Sequence, residues 1–332
     1  MSAAPVPGAP GGASAGAGAS GPGGSGGTAS AGGAQRSKGY NRWDGELTAA
    51  HWRWWVIASG NLRLAWASRW VKIVLIASLM PGVILAGITY FFIPLSAFTM
   101  QSVFSASTLF AFLVTALVGA RLISEDRRQG AFLAHFARPV TRLDYVAGKM
   151  VALIIPLLFV TMAPALFGLA ADIAVDADTI ADRVTAQVGE DQVQELDQDN
   201  VLTHLEPGKA LQAILTFGLV ASVTTAAIML GLSALTTRAR MAGISWFALV
   251  AFGGAASGIL GGILDRDWPA FLSWTDNVGD VGAWALGLDA GTQTLEAVEG
   301  TGPGRIALLV VAGAVGLLAV YRVLSTSEAG EK

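Results

Sequence analysis

The sequence predicts an all-α polytopic membrane protein: six transmembrane helices, an N-terminal interfacial helix, and a short cytoplasmic helix between spans 2 and 3. Three observations indicate this fold class. Of the 332 residues, 53% are hydrophobic and only 14% are charged, whereas about a quarter of the residues in a soluble domain are charged. Mean hydropathy is +0.56. Six apolar runs each approach or exceed the ~20 residues that a helix needs to cross a bilayer.

Residues 1–40 consist almost entirely of Gly, Ala, Ser and Pro. Such a segment cannot bury enough apolar area to offset the entropy lost on ordering, so the composition predicts a disordered tail. The segment also lacks the basic start and the apolar centre of a signal peptide.

Residues 41–70 interleave tryptophans with arginines. The tryptophans are Trp43, Trp52, Trp54, Trp55, Trp66 and Trp70, and the arginines are Arg42, Arg53, Arg63 and Arg69. Tryptophan prefers the headgroup layer of a membrane, and arginine snorkels beside it. The pattern predicts an amphipathic interfacial helix. Aromatic and basic residues together also occur in nucleic-acid sites, but the span that follows immediately favours the lipid membrane as partner and no nucleic acid.

Residues 71–324 form the predicted six-span domain, and residues 325–332 form a cytoplasmic tail. The six runs are Val71–Ile93, Val103–Ile123, Met150–Ala171, Leu211–Leu235, Met241–Leu264 and Ile306–Val323. Prolines inside spans are tolerated when neighbouring helices satisfy the freed carbonyl groups, so we expect kinks at Pro81, Pro156 and Pro164.

The basic residues predict the orientation. With the N-terminus in the cytoplasm, seventeen of the 21 Lys and Arg residues lie inside and four outside. The bias in the short loops predicts that both termini are cytoplasmic in a multi-pass protein of the inner membrane.

Two outer loops are long. The first, about 172–208, carries ten acidic residues and a helical spacing of apolar ones, which favours an exposed charged helix over a cation site. The second, about 265–304, contains Trp268, Phe271, Trp274 and Trp284. It predicts short helices that return to the outer interface, with the aromatics as interface anchors or, alternatively, as a substrate gate.

The apolar runs contain essentially no ionisable residue away from their ends. Ion-coupled transporters and proton relays need such residues at membrane depth. The chain has no cysteine and no P-loop, its three histidines are far apart, and no metal-binding or catalytic pattern is present. These absences predict a protein that is not an enzyme, binds no cofactor or metal, and depends on another polypeptide for energy.

The segment from Arg121 to Lys149 lies between spans 2 and 3 and holds six basic residues. Phe132, Leu133 and Phe136 would share one face of a short helix. Pro139 ends that helix, because proline disfavours helical geometry at the residue before it. The chain is then expected to return to the bilayer at Lys149.

This segment resembles the first cytoplasmic loop of ABC-2 type transporter permeases. The matching residues are Glu125, Gly130, Arg138-Pro139-Val140, Arg142 and Gly148-Lys149. The six-span layout of Val71 to Leu324 is also similar to that family. One position departs from the pattern, because Ala131 follows Gly130 where the family often has Thr.

The resemblance implies a permease subunit of an ABC-2 type transporter, in most of the family an exporter. It implies a separate ATP-binding cassette ATPase that docks on Arg121–Lys149, and a second permease copy or a sister permease. The implied coupling residues are Glu125, Arg128, Gly130, Phe132, Leu133, Phe136, Arg138, Pro139, Arg142 and Lys149. Glu125 is expected to pair with Arg128 or Gln129 at helical spacing. Arg138 and Arg142 face acids of the cassette or lipid phosphates, or simply anchor the inner loop.

Two further questions stay open at this level. A membrane scaffold that acts through its outer loops, without transport, would explain the acidic loop but not the R-P-V-x-R pattern. An intramembrane hydrolase lacks paired acid and base residues at depth. Finally, Gly254, Gly258 and Gly262 stand four residues apart in span 5 and form a flat helix face. That face packs either within the chain or at a subunit interface.

Overall fold

The computed structural model describes residues 52–91, 96–130, 141–174, 185–186, 205–265, 268–288 and 302–329. Across these ranges the regular structure is helical and no strand occurs. Six of the helices are long and apolar enough to cross a membrane. The predicted fold class is therefore confirmed: the chain is an all-α polytopic membrane protein.

Five of the six spans are longer than the apolar runs that predict them, and span 1 has the same length as its run, 23 residues. The spans extend over Arg69–Phe91, Thr99–Arg128, Arg142–Ala174, Pro207–Leu235, Ala239–Leu264 and Gly302–Thr326, and are called spans 1 to 6 below. Span 3 begins at Arg142, seven residues before the predicted return to the bilayer at Lys149. Backbone hydrogen bonding continues a helix through its polar flanks, whereas hydropathy detects only the apolar middle.

A helix at Arg53–Ala67 precedes the spans and lies within the predicted interfacial segment. It packs against the beginning of span 3, where Ala58 is buried. The two backbones approach so closely that a Cβ atom on Gly148 would lie 2.7 Å from the carbonyl oxygen of Trp54. This helix, the N-terminal helix below, is therefore part of the bundle.

The three prolines behave differently. Span 1 is divided into helices Arg69–Ala77 and Met80–Phe91, and Pro81 lies directly after the interruption. Span 3 continues as one helix of 33 residues through Pro156 and Pro164. A Cβ atom on Gly82 would lie 2.2 Å from the carbonyl oxygen of Pro164. Spans 1 and 3 thus touch backbone to backbone at a proline.

Span 2 is built from several helical segments. It consists of Ala97–Val114, a π-helical turn at Thr115–Gly119, and helices Ala120–Leu122 and Ser124–Arg128. A π-turn inserts an extra residue into one turn and is often found at functional positions. The π-turn shifts the faces presented by the last nine residues of the span.

Span 4 lies at the centre of the bundle, and span 5 lies at its edge. Seventeen of the 29 residues of span 4 are buried, whereas span 5 buries only Ala242, Trp246 and Ser257. Span 4 contacts span 6 through glycines, since a Cβ on Gly231 would lie 2.5 Å from the Cα of Gly316. Close approach of this kind is typical of helix packing in lipid.

Because the chain crosses the bundle six times, the start of span 1 and the end of span 6 lie at the same end of the bundle. We call it the terminal end; it also carries the connections between spans 2 and 3 and between spans 4 and 5. Here the guanidinium of Arg142 lies 5.9 Å from the ring centre of Tyr321, near the end of span 6.

The opposite end carries the two long loops. Most of the 172–208 loop, with its predicted charged helix, lies outside the described residues. In the 265–304 loop the expected short helices are present as a 3₁₀ turn at Trp268–Leu272 and a helix at Trp274–Ala285, the interspan helix below. Trp274 is buried and donates from its indole nitrogen to the Thr225 hydroxyl at 3.2 Å. The interpretation of Trp274 as an interface anchor is wrong, because its polar group pairs within the core.

Candidate functional site

The sequence-predicted coupling residues flank the connection between spans 2 and 3. Glu125 and Arg128 lie in the last turns of span 2, and Gly130 follows them. Arg142 and Lys149 lie in the first turns of span 3. The remaining residues of the proposed short helix, Phe132, Leu133, Phe136, Arg138 and Pro139, lie outside the described residues.

Gly130 ends the helical part of span 2. Its φ angle is +64°, in the left-handed region that glycine adopts without a steric penalty. Its amide donates to the carbonyl oxygen of Arg127 at 3.3 Å. A glycine at this position is the usual way to stop a helix and turn the chain away from its axis. The termination of the helix therefore explains why a glycine stands at this position of the motif.

Glu125 pairs with two residues on its own helix. Its carboxylate accepts hydrogen bonds from both Arg128 and Gln129, with Arg128 Nε at 3.1 Å and Gln129 Nε2 at 2.6 Å. The expected pairing at i+3 and i+4 thus forms with both candidates. All three side chains are exposed or half-exposed, and these hydrogen bonds stay within the last turns of span 2.

Asp126 lies at the centre of a cluster of polar side chains. We call it the Lys149 cluster and define it as Asn61, Asp126, Tyr145 and Lys149. Lys149 is only 4% exposed. Its ammonium lies 2.8 Å from the Asp126 carboxylate and donates to the Asn61 amide oxygen at 3.0 Å. The Tyr145 hydroxyl donates to the same Asp126 oxygen at 2.7 Å. The cluster joins the N-terminal helix, span 2 and span 3.

Sequence analysis missed three members of this cluster. Lys149 was identified only as part of a motif, and Asn61, Asp126 and Tyr145 were not singled out. A usable signal was present. Lys149 directly precedes the apolar run Met150–Ala171, and a charge at the edge of a span needs a partner, because an unpaired charge in a span is costly. Asp126 is the acid that the chain brings to that level.

The end of span 2 is also fixed to span 4. The Ser233 hydroxyl accepts from the amides of Ile123 and Ser124 at 3.1 and 3.0 Å. It donates to the carbonyl oxygen of Ala120 at 3.2 Å. The Arg127 guanidinium donates to the carbonyl oxygen of Ala234. These bonds satisfy backbone groups left open where the π-turn ends, and they bind span 2 to the central helix.

A second buried cation lies at the opposite end. The Arg305 cluster, defined as Phe271, Asn277, Asp280 and Arg305, surrounds a guanidinium that is 0% exposed. Arg305 lies 2.8 Å from the Asp280 carboxylate, donates to the Asn277 amide oxygen at 2.8 Å, and lies 4.1 Å from the Phe271 ring centre. Burial raises the pKa of the Asp280 carboxyl, and the facing Arg305 acts to lower that pKa. The cluster fastens the interspan helix to span 6.

Within the described part of the chain, the three glycines of span 5 do not form a packed face. A Cβ atom on Gly258 or Gly262 would have no heavy atom within 4 Å, and on Gly254 only the Ser273 hydroxyl at 4.0 Å. Packing of Gly258 and Gly262 against the described part of the chain is therefore not the explanation. Their role at a subunit interface stays a prediction.

Both clusters hold helices in position relative to one another. Each contains a cation, a carboxylate and an amide whose contacts join two or more helices. Among the described residues no group of three or more His, Cys, Asp and Glu could hold a metal ion.

Comparison with known proteins adds no family. No protein-family model matches the chain, and no curated protein matches it. The resemblance to ABC-2 permeases consequently depends on the loop residues and the six-span layout.

Proposed function

We propose that the chain is the permease subunit of an ABC-2 type exporter, and that a separate ATP-binding cassette ATPase docks on the segment Arg121–Lys149. One observation carries the proposal. Both ends of this segment are bound to other parts of the bundle by buried polar contacts. Movement of the segment would therefore be transmitted to spans 2, 3 and 4 and to the N-terminal helix.

The first link in that transmission is the Lys149 cluster. Asp126 belongs to the end of span 2, and Lys149 and Tyr145 belong to the start of span 3. The second link is Ser233 of span 4, which holds the amides of Ile123 and Ser124. An ATPase that pressed on the segment would move these three helices together instead of bending a slack loop.

The distribution of charge supports an external energy source. In the described spans the ionisable residues stand in the terminal turns, and Lys149, the deepest basic residue of span 3, is paired with Asp126. A transporter driven by ions or protons needs ionisable groups along its pathway. A pathway without them fits a pump whose work is supplied by a bound ATPase.

The same proposal sets the orientation. The terminal end faces the cytoplasm of a cell with an inner membrane, since seventeen of the 21 Lys and Arg residues belong to that side. The opposite end, with the Arg305 cluster and the acidic loop, faces outward. A second permease copy or a sister permease completes the pathway, and the exposed glycine face of span 5 offers a surface for it.

The test is co-purification of an ATPase from native membranes with the full chain and with the variant Phe132→Asp/Phe136→Asp. We expect the unmodified chain to bring down a protein with a P-loop, and the variant to lose it. A matched control, Trp268→Asp/Leu272→Asp, makes the same change on exposed apolar residues at the opposite end and should retain the ATPase. Retention by both variants would overturn the docking segment.

A second candidate is a non-transporting scaffold that acts through its outer loops. It is favoured by the Arg305 cluster, because a buried ion pair fastens the interspan helix to span 6 and so fixes a rigid surface at the opposite end. The co-purification separates the two functions. A scaffold would bring down partners that bind the outer loops, and the Trp268→Asp/Leu272→Asp variant would lose them.

A further inference from the structure

We propose that a cleft between the N-terminal helix and span 2 is a binding site for an anionic glycerophospholipid, which inserts its phosphate between Arg69 and Arg121. The cleft has a volume of about 710 Å³, within the range of ligand pockets of roughly 300–1,000 Å³. It lies at the terminal end of the bundle. It does not depend on the proposed transport function.

The cleft arises from the break between the N-terminal helix and span 1. The N-terminal helix ends at Ala67, Ser68 adopts an extended backbone, and span 1 starts at Arg69 in a new direction. The N-terminal helix is held to span 3 at Gly148, so span 1 diverges from it. The space left between them is bounded on its far side by span 2 and remains open to the surroundings.

Charge on the cleft wall is unbalanced once the internal pairs are counted. Lys149 and Asp126 neutralise each other, and Glu125 is bound by Arg128 and Gln129. Arg69 and Arg121 also line the cleft. Neither donates a hydrogen bond or forms an ion pair with any other described residue; Arg69 only stacks on Trp70 at 5.8 Å. Arg121 does interact at a distance with the Glu125 carboxylate, but that carboxylate is already bound by Arg128 and Gln129. The N–H donors of both guanidinium groups therefore have no acceptor among the described residues, and such donors bind phosphate in pairs.

The other wall of the cleft is apolar. Leu64, Val71, Leu117 and Val118 line it next to the two arginines. Val71 and Val118 are already buried, but a free phosphate would leave Leu64, which is 73% exposed, and the half-buried Leu117 in contact with water. A glycerophospholipid fits both walls, because its phosphate meets the arginines and its acyl chains cover the aliphatic residues.

The depth of Arg69 and Arg121 in the membrane agrees with a glycerophospholipid in the cleft. Span 2 has 30 residues, a helix of about 45 Å, whereas the hydrocarbon layer is about 30 Å thick. Its polar end therefore extends into the headgroup layer. Arg121 lies seven residues before that end, and Arg69 is the first residue of span 1. The exposed Trp70 beside Arg69 is of the type that settles at the same level.

The experiment is native mass spectrometry of the delipidated full chain in detergent, titrated with phosphatidylglycerol. We expect one saturable lipid per chain. Arg69→Gln/Arg121→Gln should weaken binding by about thirtyfold, from roughly fivefold for each basic residue. The charge-matched control Arg63→Gln/Arg322→Gln alters two exposed arginines outside the cleft and should bind as the unmodified chain does. Equal losses in both variants, or no loss in the first, overturn the site.

Two further measurements distinguish binding of a lipid from binding of another phosphate compound. Ala65 lines the apolar side, and Ala65→Phe should lower phosphatidylglycerol affinity without altering charge. Inorganic phosphate and glycerol 3-phosphate should not displace the lipid at equal concentration. Displacement by either compound, or unaltered affinity of the Ala65→Phe variant, would mean that the acyl chains do not occupy the cleft and would overturn the lipid assignment.

Discussion

The two ends of the bundle each bury a cation, but they do so in different ways. Lys149 at the terminal end reaches a carboxylate and an amide on two other helices, and a small part of it stays exposed. Arg305 at the opposite end is fully enclosed, with Asp280, Asn277 and the Phe271 ring around one planar group. A flexible amine near a helix start can follow a moving partner, whereas an enclosed guanidinium cannot. We therefore expect the terminal end to transmit movement, as proposed above, and the opposite end to resist it.

The largest expected effect is at the Arg305 cluster. Asp280→Asn leaves a fully enclosed guanidinium with only an amide and a ring as partners. Loss of one partner of a buried ion pair is strongly destabilising, and we expect about 3 kcal/mol. Asp280 is itself 37% exposed, which places the expectation at the lower end of the usual range. The measurement is denaturant unfolding of the detergent-solubilised protein followed by circular dichroism.

Asp265→Asn is the matched control, because Asp265 is an exposed carboxylate at the same end of the bundle. Its free energy of unfolding should change by less than about 0.5 kcal/mol. The double variant Asp280→Asn/Arg305→Met should recover part of the lost stability, since it removes the unpaired charge. A double variant no more stable than Asp280→Asn would show that the ion pair is not the source of the effect.

The second effect tests the terminal end. Asp126→Asn removes the carboxylate that pairs with Lys149, but the long lysine side chain can move its ammonium toward the headgroup layer. We therefore expect about 2 kcal/mol, less than for Asp280→Asn. Tyr145→Phe removes the hydrogen bond that the hydroxyl donates to Asp126 and should cost about 1 kcal/mol.

The comparison between the two ends depends on whether Asp280→Asn loses more stability than Asp126→Asn. The same unfolding experiment measures all the variants under one condition. A loss for Asp126→Asn that equals or exceeds the loss for Asp280→Asn would contradict the view that the terminal cluster is the more adaptable one.

The sequence predicts the spans well and the clusters poorly, for one physical reason. Hydrophobic length is a local property, so six runs identify six spans without any knowledge of packing. The partner of Lys149 is Asp126, 23 residues away, and the partner of Arg305 is Asp280 on a separate helix. Which polar groups meet depends on how the helices are rotated, and the π-turn in span 2 alters that rotation.

The loop motif illustrates the same limit. Gly130 and the pairing of Glu125 follow from local rules, and both are found. The motif also contains Gly148, for which a local rule offers no reason. The structure provides one, since the N-terminal helix packs directly on that position. A contact between segments distant in sequence cannot be predicted from local rules and is seen only in the three-dimensional structure.

The third effect concerns this contact. Gly148→Ala places a Cβ atom 2.7 Å from the Trp54 carbonyl oxygen, so the N-terminal helix must move away from span 3. Overpacking of this kind costs about 1–3 kcal/mol. We expect the lower part of that range, because the contact lies near the first turns of both helices, where they can move apart. Limited proteolysis should cut the N-terminal helix faster in the variant.

Gly60→Ala provides the control on the same helix. No heavy atom lies within 4 Å of a Cβ atom at Gly60, and alanine is favoured over glycine in a helix by about 1 kcal/mol. This variant should be cut no faster than the unmodified chain. Equal acceleration in both variants would assign the effect to the helix itself and not to its docking on span 3.

The smallest effect is expected one residue before Asp126, at Glu125. Glu125→Gln removes an ion pair with Arg128 that is exposed to solvent and lies within one helix, and such pairs contribute little because water screens them. We expect no resolvable change in unfolding, and the same result at low and high salt. The neighbouring Asp126→Asn, which makes the same chemical change on a carboxylate bound to another span, should be clearly destabilised. If the two variants behave alike, the stability of the terminal end comes from its local helix and not from the link between spans 2 and 3, and the proposed transmission of movement through the Lys149 cluster has no structural basis.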